Sequence, residues 1–207
     1  MEIAYFLISV FFVSLSGALM PGPVLAVVVR DAPRRPLAGF EAAAGHALLE
    51  LPLVAAIALG FSALLRTPIA HAAVGAVGSA ALVWMGISSL RVDSSALLPS
   101  GAGAPRSISS GLLASLNPYF FLWWATAGAA IVAKAVSWSM WVLALMYFAH
   151  VLVDFLWFGA VGLIVSRSMP LGGAWQLWLV RICGVFMAAF GVYFLLGAVA
   201  GVSGQSG

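Results

Sequence analysis

The sequence predicts an all-α membrane protein with six transmembrane helices, arranged as a 3+3 inverted-topology repeat in which helices 1 and 4 are broken by proline. Of its 207 residues, 64% are hydrophobic and only 7% are charged, whereas a soluble domain carries about 25% charged residues. The apolar residues fall into six runs that approach or exceed the about 20 residues of a spanning helix. A pair of ionisable residues with the same spacing occurs in the first half of the chain and again in the second half. This composition excludes a soluble enzyme and a nucleic-acid-binding protein.

Charges and clusters of Gly, Pro and Ser separate the six predicted segments. The segments are residues 3–29, 37–65, 68–90, 108–132, 138–165 and 175–199. Segment 1 opens without Lys or Arg and is too long for a cleaved signal peptide, so we expect it to remain as a membrane helix. Residues 1–91 form the first predicted repeat and 108–199 the second. The Ser-, Gly- and Pro-rich stretch 92–107 is a predicted linker, and 200–207 is a predicted flexible tail.

Positive charges predict the orientation in the membrane. The connections that follow segments 1, 3 and 5, together with the start of segment 6, hold Arg30, Arg34, Arg35, Arg91, Arg106, Arg167 and Arg181. The opposite side holds only Arg66 and Lys134. Cytoplasmic loops are enriched in Lys and Arg. We therefore expect these three connections in the cytoplasm and both termini outside it, in a multi-pass protein of the cell inner membrane.

Segments 2 and 5 carry the same pair of ionisable residues. His46 precedes Glu50 by four positions, His150 precedes Asp154 by four, and both members of the pair are displaced by 104 positions. An odd number of helices in each half makes the second copy enter the membrane from the opposite side. Such inverted repeats are the architecture of many secondary transporters.

Segments 1 and 4 are interrupted at corresponding places. The interrupting residues are Pro21, Gly22 and Pro23 in segment 1 and Asn117, Pro118 and Tyr119 in segment 4. A proline inside a helix releases the carbonyl four residues earlier, here those of Gly17, Leu19 and Ala114. In hydrocarbon such groups must find a partner or line a wet cavity, and matching interruptions point to a substrate site.

The two His/carboxylate pairs leave three interpretations open. Each histidine lies one helical turn from its acid, so the two side chains share a face and can share a proton. A charge in mid-membrane costs about 2.5–3.5 kcal/mol, which makes a function in proton coupling or ammonium binding the leading interpretation. A polar clamp between helices is the second. A divalent metal site made of His46, Glu50, His150 and Asp154 is the third. The lone Cys183 excludes an internal disulfide.

Four pieces of the sequence together resemble one transporter family. They are PGP at 21–23, AAGHALLE at 43–50, NP at 117–118 and VDFLW at 153–157. In this order they resemble the LysE/RhtB-type lysine-exporter family across nearly the whole chain. The resemblance implies six helices, a homodimer, and proton-driven export of small amino acids or related metabolites. It places Glu50 where the family usually has aspartate, and Asp154 at the acidic position of helix 5.

The chain departs from that family in ways that concern the substrate. Tyr119 replaces a common lysine, Leu49 replaces a frequent glycine, and His46 and His150 are not general features. The aromatic residues Trp123 and Trp124 lie deep enough either to line a cavity or to pack against neighbouring helices.

We therefore predict a secondary active transporter and not an enzyme. We expect it to lie in the lipid bilayer, to bind a small-molecule substrate and to need no cofactor. Proton-coupled export of an amino acid or related metabolite is the first interpretation, and divalent metal-ion transport is the alternative. In the first, Glu50 and Asp154 hold protons or a cationic group with the help of His46 and His150. Backbone groups near Gly22 and Asn117 would bind a carboxylate.

Overall fold

The computed structural model describes residues 1–61, 68–92, 107–168 and 174–203, which contain helices and no strand. The helices are α1 (Glu2–Ala18), α2 (Pro23–Asp31), α3 (Ala38–Ala56), α4 (Pro68–Leu90), α5 (Ser107–Ser115), α6 (Pro118–Trp123), α7 (Ala129–Trp138), α8 (Met140–Arg167) and α9 (Ala174–Ser203). A kink at Ile57–Phe61, where Gly60 has a φ of 93°, follows α3, and a π-helical turn, Trp124–Gly128, joins α6 to α7. The chain is therefore all-helical within the described residues.

Four helical stretches of the described residues are long and apolar enough to cross a membrane. They are Ala38–Gly60, Pro118–Trp138, Met140–Arg167 and Ala174–Gly197. The bent pair α1–α2 would be a fifth span. Helix α4 covers the predicted segment 3 but contributes only the shorter apolar stretch Ser79–Leu90. The membrane character of the fold is thus established, while the six-helix 3+3 repeat remains a prediction.

Both predicted proline interruptions end one helix and begin another. Helices α1 and α2 meet at 73°, with Gly22 extended and Pro23 opening α2. Asn117 is likewise extended, and Pro118 opens α6. Proline suits a helix start because it has the required φ angle and lacks an N–H that would find no partner there. The interruptions therefore create two helix starts inside the membrane-spanning part of the chain.

Two of the three backbone carbonyls that these prolines were expected to free have a hydrogen-bond donor in the structure. The Gly17 carbonyl accepts the amide of Met20 at 3.3 Å. The Ala114 carbonyl accepts the Asn117 side-chain amide at 2.9 Å. A tight turn and a side-chain amide therefore take the place of the missing proline donors.

Several boundaries differ from the predictions. Helix α7 continues to Trp138, so the predicted connection 133–137 is helical, and Ser139 alone separates α7 from α8. The extended Ser139 caps α8 by accepting the amide of Val142, which explains the short connection. Ser107 already belongs to α5, and α9 includes the first four residues of the predicted tail. Residues 93–106 of the predicted linker and 204–207 of the tail lie outside the described residues.

The most extensive helix contacts join the two predicted halves. Helix α4 packs along α9, α3 packs against α5 and α8, and α1 packs against α8. Glycine permits close approach in several of these pairs, because a Cβ on Gly45 would overlap the backbone of α5 and one on Gly39 would overlap that of α8. This packing places the polar residues of α3 and α8 against each other.

Candidate functional site

Helices α3 and α8 bring the two predicted His/carboxylate pairs together. His46 and Glu50 lie one turn apart on α3, and His150 and Asp154 lie one turn apart on α8. Glu50 is 1% exposed, Asp154 2% and His150 4%. The spacing of four puts each pair on one helix face, and the packing of α3 on α8 makes these faces meet. We refer to these four residues as the His/carboxylate cluster.

One carboxylate oxygen of Glu50 is the centre of this cluster. Its Oε1 lies 3.1 Å from Nε2 of His46 and 2.9 Å from Nε2 of His150. Nε2 of His150 is also 3.7 Å from Oδ2 of Asp154. The imidazoles of both halves thus converge on a single oxygen atom, which neither half could achieve alone.

Two serines orient the imidazoles from the far side. Nδ1 of His46 lies 2.5 Å from the Ser115 hydroxyl, and Nδ1 of His150 lies 2.6 Å from the Ser14 hydroxyl. Each contact joins the intact helix of one half to the broken segment of the other. Neither serine is among the site residues predicted from the sequence, because a serine in an apolar helix commonly bonds its own backbone. Their position before each proline interruption is the signal that could have identified them.

A third donor to Glu50 comes from the π-helical turn after α6. Nε1 of Trp124 donates to Oε1 of Glu50 at 3.3 Å, and the side chain is 1% exposed. Trp123 stacks on His150 with ring centroids 5.2 Å apart. The π turn changes the helical register locally, and such turns often occur at functional sites. These tryptophans line the cavity described below and also pack into a core cluster of neighbouring helices, so both sequence interpretations apply.

Two carboxylate oxygens of the cluster have no hydrogen-bond partner among the described residues. They are Oε2 of Glu50 and Oδ2 of Asp154, and both are buried. Buried polar atoms usually have a partner, so an unpaired carboxylate oxygen beside a cavity suggests that another group binds there. His46, Glu50 and Asp154 can each offer a ligand atom, all within 4.8 Å of one another.

The cluster forms part of the wall of a cleft with about 730 Å³ of empty space, which includes volume open to the outside. All four cluster residues line it, as do Pro21, Gly22, Pro23, Asn117 and Tyr119. Pro118 is buried next to these residues, at the start of α6. The structure thus gathers the predicted site residues around one cavity, although their function is still a prediction.

The rest of the cavity wall is largely apolar and aromatic. Besides the tryptophans, it includes Met20, Leu25, Leu82, Phe120, Phe158, Phe186, Met187 and Phe190. No Lys or Arg belongs to the described lining, and Arg30 and Arg35 form pairs elsewhere with Asp31 and Glu41. The cavity therefore has one polar, acidic end and otherwise a hydrophobic wall.

Two helix starts also reach this cavity. Gly22, Pro23, Val24 and Leu25 line it at the beginning of α2, and the first-turn amides of a helix have no intrahelical partner. At the start of α6 the Asn117 side chain already accepts the amide of Phe120 at 3.1 Å. The amide-rich end of α2 is consequently the better place for an anionic group.

Comparison with known proteins gives one match. The family model described as LysE type translocator matches residues 15–198, which include both proline interruptions and the whole cluster. No curated protein and no solved structure matches the chain significantly.

Proposed function

Because the chain belongs to the LysE type translocator family and is therefore a membrane transport protein, we propose that it exports a small amino acid or related metabolite in exchange for protons. The family match supports transport. The proposed coupling to protons and the assignment of the site residues depend on the geometry of the His/carboxylate cluster.

The observation that best supports proton coupling is the convergence of two imidazoles on Oε1 of Glu50. The Ser115 hydroxyl donates to the Gly111 carbonyl at 2.7 Å, so it must accept a hydrogen bond from Nδ1 of His46. Nδ1 of His46 therefore carries a proton. The 3.1 Å contact between its Nε2 and Glu50 then needs a second proton, on the imidazole or on the carboxylate. A proton is thereby held in the membrane interior beside the cavity.

The acidic end of the cavity also suits the amino group of a substrate. Glu50 and Asp154 each present a buried oxygen without a hydrogen-bond partner among the described residues, and no Lys or Arg of the described lining neutralises them. We propose that a protonated amino group and protons bind there alternately. Bound charge is then compensated in either state, which lowers the cost of carrying it through the bilayer.

The carboxylate of an amino acid would bind at the start of α2. The first-turn amides of Val24 and Leu25 and the positive end of the helix dipole favour an anion there. Apolar and aromatic groups of the cavity wall would contact the side chain of the substrate. The proposed substrate is therefore bound through its two oppositely charged groups.

Reconstitution in liposomes tests this function. A thermal-shift screen of amino acids first selects a stabilising ligand, because binding to the folded state raises stability by mass action. With that ligand, we expect Glu50→Gln and Asp154→Asn each to lower flux driven by a pH gradient by at least about tenfold, equivalent to about 1.4 kcal/mol. The loss follows from removing the group that alternates between proton and amino group.

Glu41→Gln is the matched control, because this carboxylate pairs with Arg35 at 2.6 Å and does not line the cavity. Its flux should equal that of the unmodified chain. Undiminished gradient-driven flux in both Glu50→Gln and Asp154→Asn would contradict the proposal.

A further inference from the structure

We propose that the His/carboxylate cluster also binds one divalent transition-metal ion of the Zn²⁺ or Co²⁺ type. The site is the one to which the proposed function assigns protons and an amino group. Metal binding can nevertheless be measured without transport, so either proposal can fail while the other survives.

The donor atoms have the identity and spacing of such a site. One ligand atom each of His46, Glu50 and Asp154 lies within 4.8 Å of the other two, and Nε2 of His150, 2.9 Å from Oε1 of Glu50, is the proposed fourth donor. Ligands at about 2.0–2.1 Å from a tetrahedral Zn²⁺ ion lie about 3.3 Å from one another. Three separations across the cluster are 2.9, 3.1 and 3.7 Å. These three separations bracket the spacing of tetrahedral ligands, and for His150 to join the other three ligands its side chain has to move toward them.

The surroundings of the imidazoles support metal binding independently. A ligating histidine usually donates its second ring N–H to a neighbouring acceptor, which fixes the tautomer and the ring orientation. Nδ1 of His46 donates to Ser115, whose own proton is used by the Gly111 carbonyl. Nε2 of His46 is thereby directed toward Glu50 as the potential ligand. Nδ1 of His150 lies 2.6 Å from the Ser14 hydroxyl and can donate to it in the same way.

Charge is the third argument. With neutral imidazoles and ionised carboxylates, the cluster carries two negative charges that no Lys or Arg of the described cavity lining compensates. Buried charges are stable when they are paired or coordinate a metal. A divalent ion neutralises both carboxylates and supplies a partner for Oδ2 of Asp154.

Calorimetric titration of the full chain in detergent with ZnCl₂ tests the site, and Co²⁺ reports its geometry through visible absorption. We expect one saturable ion per chain and a tetrahedral Co²⁺ spectrum. His46→Gln and His150→Gln should each weaken binding by at least about a hundredfold. Ser115→Ala, which leaves all four ligands in place, should weaken it by about 10- to 100-fold.

Glu41→Gln should bind within twofold of the unmodified chain, and circular dichroism establishes that each variant is folded. Absence of saturable binding, or binding that both histidine variants leave unchanged, would overturn the metal site. In the first case, pH-driven flux in chelator-treated liposomes that depends on Glu50 would leave the transport proposal standing. Metal binding that His46→Gln abolishes, in a chain without such flux, would support the metal site and refute proton-coupled export.

Discussion

Ser14 and Ser115 occupy similar places but restrict their histidines differently. The Ser115 hydroxyl is engaged by Gly111, which leaves it only as an acceptor for His46. The Ser14 hydroxyl has no second hydrogen bond among the described residues, so it can donate to His150 or accept from it. His150 is therefore free to exchange tautomers while His46 is not. This difference makes His150 the better candidate to pass a proton to Glu50.

Removing the Ser115 hydroxyl should slow transport by releasing His46 from its fixed tautomer. A hydrogen bond is worth about 1 kcal/mol, and we expect Ser115→Ala to reduce pH-driven flux by about five- to tenfold. Ser115→Thr keeps the hydroxyl and should restore most of the flux. The measurement is the initial rate in liposomes at saturating and at low substrate.

Ser9→Ala provides the comparison for this pair, because within the described part of the chain the exposed Ser9 bonds only the Tyr5 carbonyl of its own helix. Its flux should remain unchanged. If Ser115→Ala transports at the normal rate, the serine has only a packing function and the assignment of the His46 tautomer has no functional consequence.

At the scale of single residues, the sequence predicted the ionisable groups but not their partners. Glu50 and Asp154 stand out because charges are rare in apolar helices, and the spacing of four indicated a histidine on the same face. The spacing alone could not indicate that both imidazoles contact the same oxygen of Glu50, instead of each contacting the carboxylate on its own helix. That arrangement depends on how far α3 and α8 are displaced along each other, which no local pattern encodes.

At the scale of elements, glycines determine how closely α3 approaches its neighbours. A Cβ on Gly45 would overlap the carbonyl of Ile108, and one on Gly111 would overlap the backbone of Ala42. The backbones of α3 and α5 are therefore in direct contact, with a glycine of each helix facing the backbone of the other. Ser115 belongs to α5 and His46 to α3, so the same contact sets the distance between hydroxyl and imidazole.

Adding one methyl group at this interface should destabilise the fold. We expect Gly45→Ala and Gly111→Ala each to cost about 1–3 kcal/mol through overpacking. For a chain of this size, the midpoint of thermal unfolding should fall by about 2–4 °C for each kcal/mol. Thermal unfolding in detergent, followed by tryptophan fluorescence or circular dichroism, measures the shift.

Gly197→Ala is the matched control, because a Cβ there would meet nothing within 4 Å. Its unfolding midpoint should stay the same or rise, since alanine favours helix more than glycine does. Equal midpoints for Gly45→Ala, Gly111→Ala and the unmodified chain would show that α3 and α5 lie farther apart than described.

The sequence predicts where the prolines interrupt the helices, but it does not predict which groups then form hydrogen bonds with the released carbonyls. Proline cannot donate a backbone hydrogen bond, so PGP and NP identify the breaks directly. The expected free carbonyls of Gly17 and Ala114 are paired by the Met20 amide and the Asn117 side chain. These partners depend on the path of the chain after each break. The π turn at Trp124–Gly128 has no recognisable sequence signal and was not predicted.

For the whole molecule, the contacts between helices occur in matched form. Helix α3 packs on α5, and its counterpart α8 packs on α1. The equivalent helices α4 and α9 pack on each other, as do α3 and α8. The predicted inverted repeat would produce such a set of contacts, since its pseudo-twofold axis exchanges each pair of helices with its counterpart. The packing therefore supports the proposed inverted repeat and explains why a serine of each half meets the histidine of the other.

Labelling from one side of the membrane tests both the inverted repeat and the predicted orientation. Cys183 is the only cysteine, so Cys183→Ala gives a cysteine-free background in one step. Pro33 and Ser137 are separated by the same 104 positions as the two His/carboxylate pairs. Corresponding positions of an inverted repeat must lie on opposite sides of the bilayer.

The concentration of arginine beside residue 33 predicts which side is which. We expect a membrane-impermeant maleimide to label Ser137→Cys in intact cells, and to label Pro33→Cys only after the membrane is permeabilised. Labelling of both from outside, or of neither, would reject the inverted repeat, because its two halves would then have the same direction. Labelling of Pro33→Cys alone in intact cells would agree with the inverted repeat but contradict the predicted orientation. The arginines predicted to be cytoplasmic would then lie on the outer face.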